Sequence, residues 1–428
     1  MDDVFSLSIE SLAFGGSGVG RRGGKVVFVP GAFPGDVALV KLVKSRKNFG
    51  EASLVEVQTP SPLRREPVCP YVNECGGCPW MALNYPAQLE WKGGMASGQM
   101  EHVGGISTEA SPAAASPLEY GYRTRVRLKA SAEGGEFRVG YCRPKSHHVV
   151  EIERCAVACG AINKMIPEIR AYMAGAPKVS ALVNTVKLEA AWPAEKGRGT
   201  LDCAGEVPAD WLAGLLRACP SVGGVAATCG PAPVKSLGDA GLDMEIGGGM
   251  TLKFGPALFS QVNPAATLVL IEKVLRLSSL DAGKSGLDLF CGAGNLTFPL
   301  ARAGARMTGV EFSGAAVDAA RSNEERLGFG GLEFLRGDAG KTARTMAREG
   351  RRFDAVIMDP PRGGAAGFAR ALSLLAAERV VYVSCYPPTL ARDAAEMARE
   401  GFRLASLEPL DMFPQTAHVE SVALFVRT

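Results

Sequence analysis

From about residue 260 onward the chain alternates short apolar, β-rich runs with helical stretches, and this constrains its fold more than any other feature. The runs are 286–290, 306–310, 332–335, 354–358, 379–384 and 419–426, with helical segments such as 315–327 and 388–400 between them. Strands joined by helices predict an open, mostly parallel, doubly wound α/β sheet. A sheet of that kind binds ligands at the carboxyl ends of its strands, where the strand order reverses. The residues that close each run therefore carry the functional argument.

The first run enters a glycine-rich turn, Gly286-Leu-Asp-Leu-Phe-Cys-Gly-Ala-Gly-Asn-Leu-Thr297. Gly292 and Gly294 let the backbone turn sharply and approach a ligand closely. A dinucleotide fingerprint would place a third glycine at 297, where this chain has Thr297. The departure favours a ligand without a pyrophosphate, and S-adenosylmethionine (SAM) is such a ligand. Glu311 ends the second run, nineteen residues past Gly292, where a carboxylate can accept from both ribose hydroxyls. Asp338 follows the third run and can meet an adenine amine. The plainer reading is a glycine turn with ordinary helix-flanking acids.

Three further motifs complete a reaction. The fifth run, Arg379-Val-Val-Tyr-Val-Ser-Cys-Tyr-Pro387, ends in the thiol of Cys385. Asp359-Pro-Pro-Arg362 closes the fourth, and Thr416-Ala-His-Val-Glu420 leads into the last. C5 of uracil is a poor nucleophile until a thiolate adds to C6 and turns the ring into an enolate. After methylation a base must remove the C5 proton before the thiol can leave. Cys385 supplies the thiolate and Glu420 the base. A free cysteine titrates near 8.5, so the thiol needs activation, for which Arg362 and polar groups of the turn are candidates. A buried cysteine is by itself more often a small hydrophobe. Cys291 competes as nucleophile, but its place in the glycine turn faces it toward the cofactor. Phe259-Ser-Gln261, just ahead of the sheet, offers an aromatic ring and an amide to line a site.

Upstream the pattern changes. Four short β-rich runs within 5–58, separated by Gly and Pro turns, suit an OB-like barrel, and Gly15-Gly-Ser-Gly-Val-Gly20 reads as a hairpin or loop rather than a nucleotide cradle. A proline-rich linker, 60–67, leads to Cys69, Cys75 and Cys78, with Cys155 and Cys159 as alternative fourth ligands. Zinc and a 4Fe-4S cluster both accept four thiolates, and the spacing does not choose between them. A polar helix is expected near 86–103, and 118–250 reads as mixed α/β, with strands at 123–130 and 137–141. Domain boundaries are placed at 1–58, 59–258 and 259–428.

Composition narrows the class. With 428 residues, 47% of them hydrophobic and 21% charged, the chain fits a soluble globular enzyme of two to four domains. It shows no signal-like leader and no run long enough to span a bilayer, so a cytoplasmic protein without membrane contact is expected. Eleven cysteines then favour metal or catalytic use over a disulfide framework. Net charge is only +3, but residues 1–50 carry seven Lys/Arg against four acids, and 117–150 seven against three. Such faces can contact phosphates or simply be solvated. Arg123, Arg125 and Arg127 alternate and are expected on one strand face.

Taken together these motifs resemble the RNA uracil-5 methyltransferases, in particular the ribosomal-RNA (23S) branch, over nearly the whole chain. The resemblance implies a TRAM barrel at the N-terminus, a central iron-sulfur domain and a class I SAM-dependent catalytic domain. It implies that Cys69, Cys75, Cys78 and Cys155 hold a 4Fe-4S cluster rather than zinc. It assigns Gln261, Phe290, Asn295, Glu311, Asp338 and Asp359 to SAM, Cys385 to the nucleophile and Glu420 to the base. Phe259 and the three arginines are the expected RNA contacts, in a monomer. The residue after the nucleophile is often Asn or Asp in this family, whereas here it is Tyr386. The transfer-RNA branch usually lacks barrel and cluster, which favours ribosomal RNA. Two rivals are an amino methyltransferase, suggested by the Asp-Pro-Pro turn, and a non-enzymatic RNA-binding protein on the same fold.

Overall fold

The C-terminal sheet runs, edge to edge, Glu333–Arg336, Arg306–Glu311, Ser285–Leu289, Phe353–Met358, Ala376–Ser384, Glu420–Arg427, Phe402–Leu410. The computed structural model describes residues 3–133, 136–194, 196–230, 234–239, 241–256 and 258–428, so the first two residues of the expected barrel lie outside it. Strands from Glu333–Arg336 through Ala376–Ser384 pair in parallel, and Glu420–Arg427 runs antiparallel to both of its neighbours. The chain order thus reverses between Ser285–Leu289 and Phe353–Met358, which opens the ligand crevice at their carboxyl ends. Because Glu420–Arg427 is antiparallel, its first residue lies at that same edge, with Ser421 paired to Ser384.

Helices cover both faces. Pro264–Ser278 packs on one side, and Pro387–Arg399 with Ala369–Leu375 on the other. The helix Tyr85–His102, expected at 86–103, also joins this second layer, placing Ala96 and Met100 in the core beside Leu390 and Met397. The sequence reading missed the strand Phe402–Leu410. Its bulge between Leu404 and Ser406 breaks the alternation, and Pro409 argues against a strand. The proline is tolerated because its missing N–H lies on the side away from Glu420–Arg427, where Ala114 N donates to the Pro409 carbonyl at 2.9 Å.

The N-terminal sheet has the order Val4–Ser8, Val37–Ser45, Phe49–Thr59, Lys25–Val29, Gly18–Arg22, Ser11–Leu12. The glycine run is a hairpin, as expected: Gly15 and Gly16 turn the chain with positive φ, and Gly18 begins the return strand. A Cβ on Gly18 would fall 2.5 Å from the carbonyl oxygen of Ala32, which explains the glycine there. The 60–67 stretch is no loose linker. Ser61 is buried, and Arg64 grips the buried carboxylate of Asp36 with two bonds of 2.7 Å.

The middle of the chain folds around a mixed sheet ordered Lys235–Gly238, Val222–Thr228, Gly197–Cys203, Val183–Ala190, Arg125–Glu133, Glu136–Cys142, Val149–Glu151. Helices Gly160–Ala174 and Ala209–Ala218 cover it with an apolar core that includes Ile162, Met165 and Leu212. Among the described residues no helix is long and apolar enough to cross a membrane.

Candidate active site

Three strand ends bring together the groups that the sequence singles out. Cys385 follows Ala376–Ser384, Asp359 follows Phe353–Met358, and Glu420 opens the antiparallel strand. Cys385 is half-buried, and Arg362 reaches its thiol with a hydrogen bond. The arginine does not win. Burial, then the charges of Glu420 and Asp359, raise the thiol above its ordinary value despite Arg362. The expected activation is therefore present as a contact but insufficient in the free protein. Glu420 is buried, and burial with the nearby Asp359 charge raises its carboxyl well above the ordinary range. Burial pushes Asp359 up to about 7. Two buried carboxylates this close resist ionising together, so they titrate as a pair.

The turn that carries Arg362 is clamped to the helix following the thiol. Thr389 donates its hydroxyl to the Arg362 carbonyl at 3.2 Å, and Arg392 donates to Gly363 O at 2.9 Å. The buried carboxylate of Asp393 accepts from Ala365 N at 2.6 Å and from the Tyr382 hydroxyl at 2.7 Å. Asp393 was invisible as a functional residue in the sequence; a lone acid on the buried face of an amphipathic helix was its only signal.

At the first crevice strand, Phe290 adopts φ 67° and stacks on Phe368 at 5.9 Å. Gly292 and Gly294 have φ of 56° and 96°. A Cβ on Gly292 would meet nothing within 4 Å, so open space lies over the turn. Glu311 fastens the turn, accepting from Gly292 N at 3.1 Å and from Ser313 N at 2.7 Å. Each carboxylate oxygen keeps a second lone pair for a ligand hydroxyl. Asp338 caps the helix Ala339–Arg348 through Oδ1, accepting from Lys341 N at 2.8 Å. Gln261 and Asn295 line one small cavity with Ser260 and Thr267. Thr297 explains the missing third glycine: its hydroxyl donates at 2.6 Å to Asp288, a buried acid the sequence reading passed over. Burial, with Asp359 and Glu311 nearby, moves Asp288 up to about 7. Cys291 is buried in the apolar core, with its sulfur packed against Gly309.

The segment running up to Glu420 is tied to the middle of the chain. Lys92 donates to Asp411 at 2.5 Å, with both groups buried, and Tyr122 donates to Pro414 O at 3.0 Å. Gln415, at φ 72°, donates its backbone N–H to Gln88 and accepts on its side-chain oxygen from Gln88 and Arg65.

Cys69, Cys75, Cys78 and Cys155 line a single cavity of about 70 Å³ together with Met81, Arg123 and Tyr141. Burial drives the Cys78 thiol up to about 12, with Cys155 adding to the rise, and Cys75 moves in the same direction. Asn163 holds the Cys155 backbone, accepting from its N–H at 2.8 Å and donating to its carbonyl at 3.1 Å. Cys159 stands at the N-cap of Gly160–Ala174. Among the described residues no group of three or more His, Cys, Asp or Glu side chains is placed to hold a metal, the four expected cysteines included.

Arg123, Arg125 and Arg127 line one cleft with Tyr141, Lys187 and Val262. Only the last two arginines lie on the strand Arg125–Glu133. Arg123 precedes it, bridges to Ala158 and also lines the cysteine cavity. Phe259 is 65% exposed, with the Arg125 guanidinium 4.5 Å from its ring centre.

Comparison with known proteins places this geometry. A family model described as tRNA (uracil-5-)-methyltransferase matches residues 246–428, and a TRAM domain model matches 3–55. A 23S rRNA (uracil(1939)-C(5))-methyltransferase RlmD of Alkalilimnicola ehrlichii is 35% identical, covering 99% of this chain and 97% of its own. The chain belongs to the RNA uracil-5 methyltransferases. The protein of the same name from Pseudomonas aeruginosa is 34% identical, covering 98% of this chain and 93% of its own. Among family members of known structure, the Pyrococcus abyssi tRNA (uracil-54, C5)-methyltransferase, in complex with S-adenosyl-L-homocysteine, superposes with a TM-score of 0.77 at 25% identity. It covers 99% of this chain and is itself covered in full, so the domain plan does not separate family members by substrate.

Proposed function

We propose that the protein methylates C5 of a uridine in 23S ribosomal RNA, with SAM as methyl donor, Cys385 as nucleophile and Glu420 as base. The observation that carries this is the convergence of Cys385, Arg362, Asp359 and Glu420 at one crevice edge beside the glycine turn. Ribosomal RNA is favoured by the full-length relatives at 33–35% identity, whose names specify it.

The open glycine turn, with Glu311 fastened beneath it, fits a nucleoside whose ribose needs a carboxylate partner. Gln261, Phe290, Asn295, Asp338 and Asp359 complete the proposed SAM contacts. Bound there, SAM supplies an electrophilic methyl group. Cys385, its proton released to solvent, bonds to C6 of the uracil and the C5–C6 π pair becomes an enolate; C5 then takes the methyl, and the broken S–CH3 pair stays on sulfur as S-adenosyl-L-homocysteine. Glu420 then removes the C5 proton, the C5–C6 double bond re-forms, and Cys385 leaves with the C–S pair. Arg362 is the cation positioned to stabilise the ionised thiol. The target base must be flipped out or unpaired for C6 to reach the thiol. Phe259 and the Arg123, Arg125 and Arg127 cleft are the proposed contacts for the strand that leads to it.

The four thiols also fit a 4Fe-4S cluster. What supports this reading is that the four cysteines line one cavity, and four thiolates are the ligand set such a cluster takes. Anaerobically purified protein should contain about four irons per chain. One zinc per chain without visible absorption would refute the iron assignment.

The function is tested by incubating the protein with SAM and either 23S ribosomal RNA or transfer RNA, then mapping 5-methyluridine. The product should appear in ribosomal RNA alone and vanish in Cys385→Ser. Methylation of transfer RNA instead would move the substrate, and full activity in Cys385→Ser would refute the covalent route.

A further inference from the structure

The N-terminal barrel places an aromatic ring beside the proposed nucleophile. Phe14 occupies the tip of the hairpin between Ser11–Leu12 and Gly18–Arg22, closed by Ala13 N to Ser17 O at 2.9 Å and Gly16 N to Ala13 O at 2.8 Å. That tip is seated firmly. The buried Trp80 donates its indole N–H to Gly16 O at 3.1 Å, and a Cβ on Gly16 would lie 2.6 Å from Ala417 Cβ. So seated, Phe14 meets Tyr386 edge-on, with ring centres 5.6 Å apart and planes at 70°. Tyr386 directly follows Cys385, and its backbone is fixed through Ser384 and Thr389.

Both rings are held yet unburied, each 36% exposed. Tyr386 is the residue next to the thiol, and Phe14 packs against its ring. When a uridine leaves its stack to reach the thiol, its neighbour loses a stacking partner, and an aromatic surface can replace it. We propose that Phe14 and Tyr386 form a two-ring platform that stacks the nucleotide next to the target uridine. This rests on the reading of Cys385 given above. It also gives Tyr386, the departure from the usual Asn or Asp, a task in holding the substrate.

The test compares three RNAs of the same sequence carrying 5-fluorouridine at the target position: intact, abasic at the 5′ neighbour, and abasic at the 3′ neighbour. Wild type should bind one abasic RNA about ten-fold more weakly than the intact RNA, the scale of one lost stack. Phe14→Ala and Tyr386→Asn should bind intact RNA at that weaker level and lose little more on the abasic RNA. Tyr386→Phe should keep the wild-type pattern, and SAM affinity of Phe14→Ala should be unchanged, as a check on folding. Equal affinity of wild type for all three RNAs, with normal covalent trapping, would overturn the platform alone. So would a full further ten-fold loss of each variant on the abasic RNA. Failure of wild type to trap the intact RNA would overturn the site reading and the platform with it.

Discussion

Cys385 and Glu420 sit in an environment that opposes the charges that the chemistry proposed for them needs. Burial raises the thiol, Glu420 and Asp359, and nearby carboxylate charge adds to the rise of the first two. The reactive forms are the thiolate and the carboxylate, so both accumulate as pH rises. Single-turnover methylation should therefore increase from pH 6 through pH 8 and beyond, since burial holds the thiol above its ordinary value of about 8.5. Asp359→Asn removes one of the repelling charges and should shift that rise to lower pH in whatever activity remains. A profile flat over this range would contradict the electrostatic account. Glu420→Gln should transfer one methyl group and stay covalently attached to ordinary uridine RNA, because the C5 proton has no base. Loss of transfer without adduct would instead give Glu420 an earlier or structural role. Cys385, Glu420 and Glu311 could be picked out from sequence because each ends or opens a patterned strand. Asp393, Asp288 and the Gln415 clasp could not, because their partners lie far along the chain or on faces that periodicity does not order.

Among the elements, the segment 411–418 is where the middle of the chain governs the site. It leads into Glu420, and its anchors, Lys92, Gln88 and Tyr122, all come from upstream. The Lys92–Asp411 pair is buried on both sides, so removing one partner strands a charge. Lys92→Met should lower stability by about 3–5 kcal/mol, whereas Lys92→Met with Asp411→Leu should recover most of the loss. Chemical denaturation of the three proteins measures this; equal loss in single and double variants would mean that packing rather than charge dominates. The parallel strands of the catalytic sheet were legible because their apolar runs are continuous and helix-separated. Phe402–Leu410 was not, since a bulge and Pro409 disguise an edge strand. The order of the central sheet was beyond reach for another reason: its pairings, such as Val183–Ala190 with Arg125–Glu133, join segments far apart in the chain.

At the scale of the whole molecule, barrel, cysteine segment and catalytic sheet meet at Trp80. Its indole bonds the barrel at Gly16, its backbone N–H donates to Gln415 O at 3.0 Å, and it stands two residues past Cys78. Deleting the barrel would uncover that junction, so charge substitutions probe RNA contact more cleanly. Some of the barrel's basic excess is neutralised internally, with Arg22 on Asp3 and Arg21 near Glu10. Arg46 and Lys47 remain exposed. Arg46→Ala with Lys47→Ala should weaken RNA binding and reduce the salt slope by about one to two, without changing SAM affinity. An unchanged slope would remove this face from the RNA path.

The central claim is a covalent bond between Cys385 and C6 of the target uridine. It is tested most directly with RNA bearing 5-fluorouridine at that position, because fluorine on C5 cannot leave as a proton and the adduct cannot resolve. With SAM present, wild type should give a denaturant-resistant protein–RNA band carrying one methyl group, and Cys385→Ala should give none. A band of equal strength from Cys385→Ala would contradict the assignment of the nucleophile.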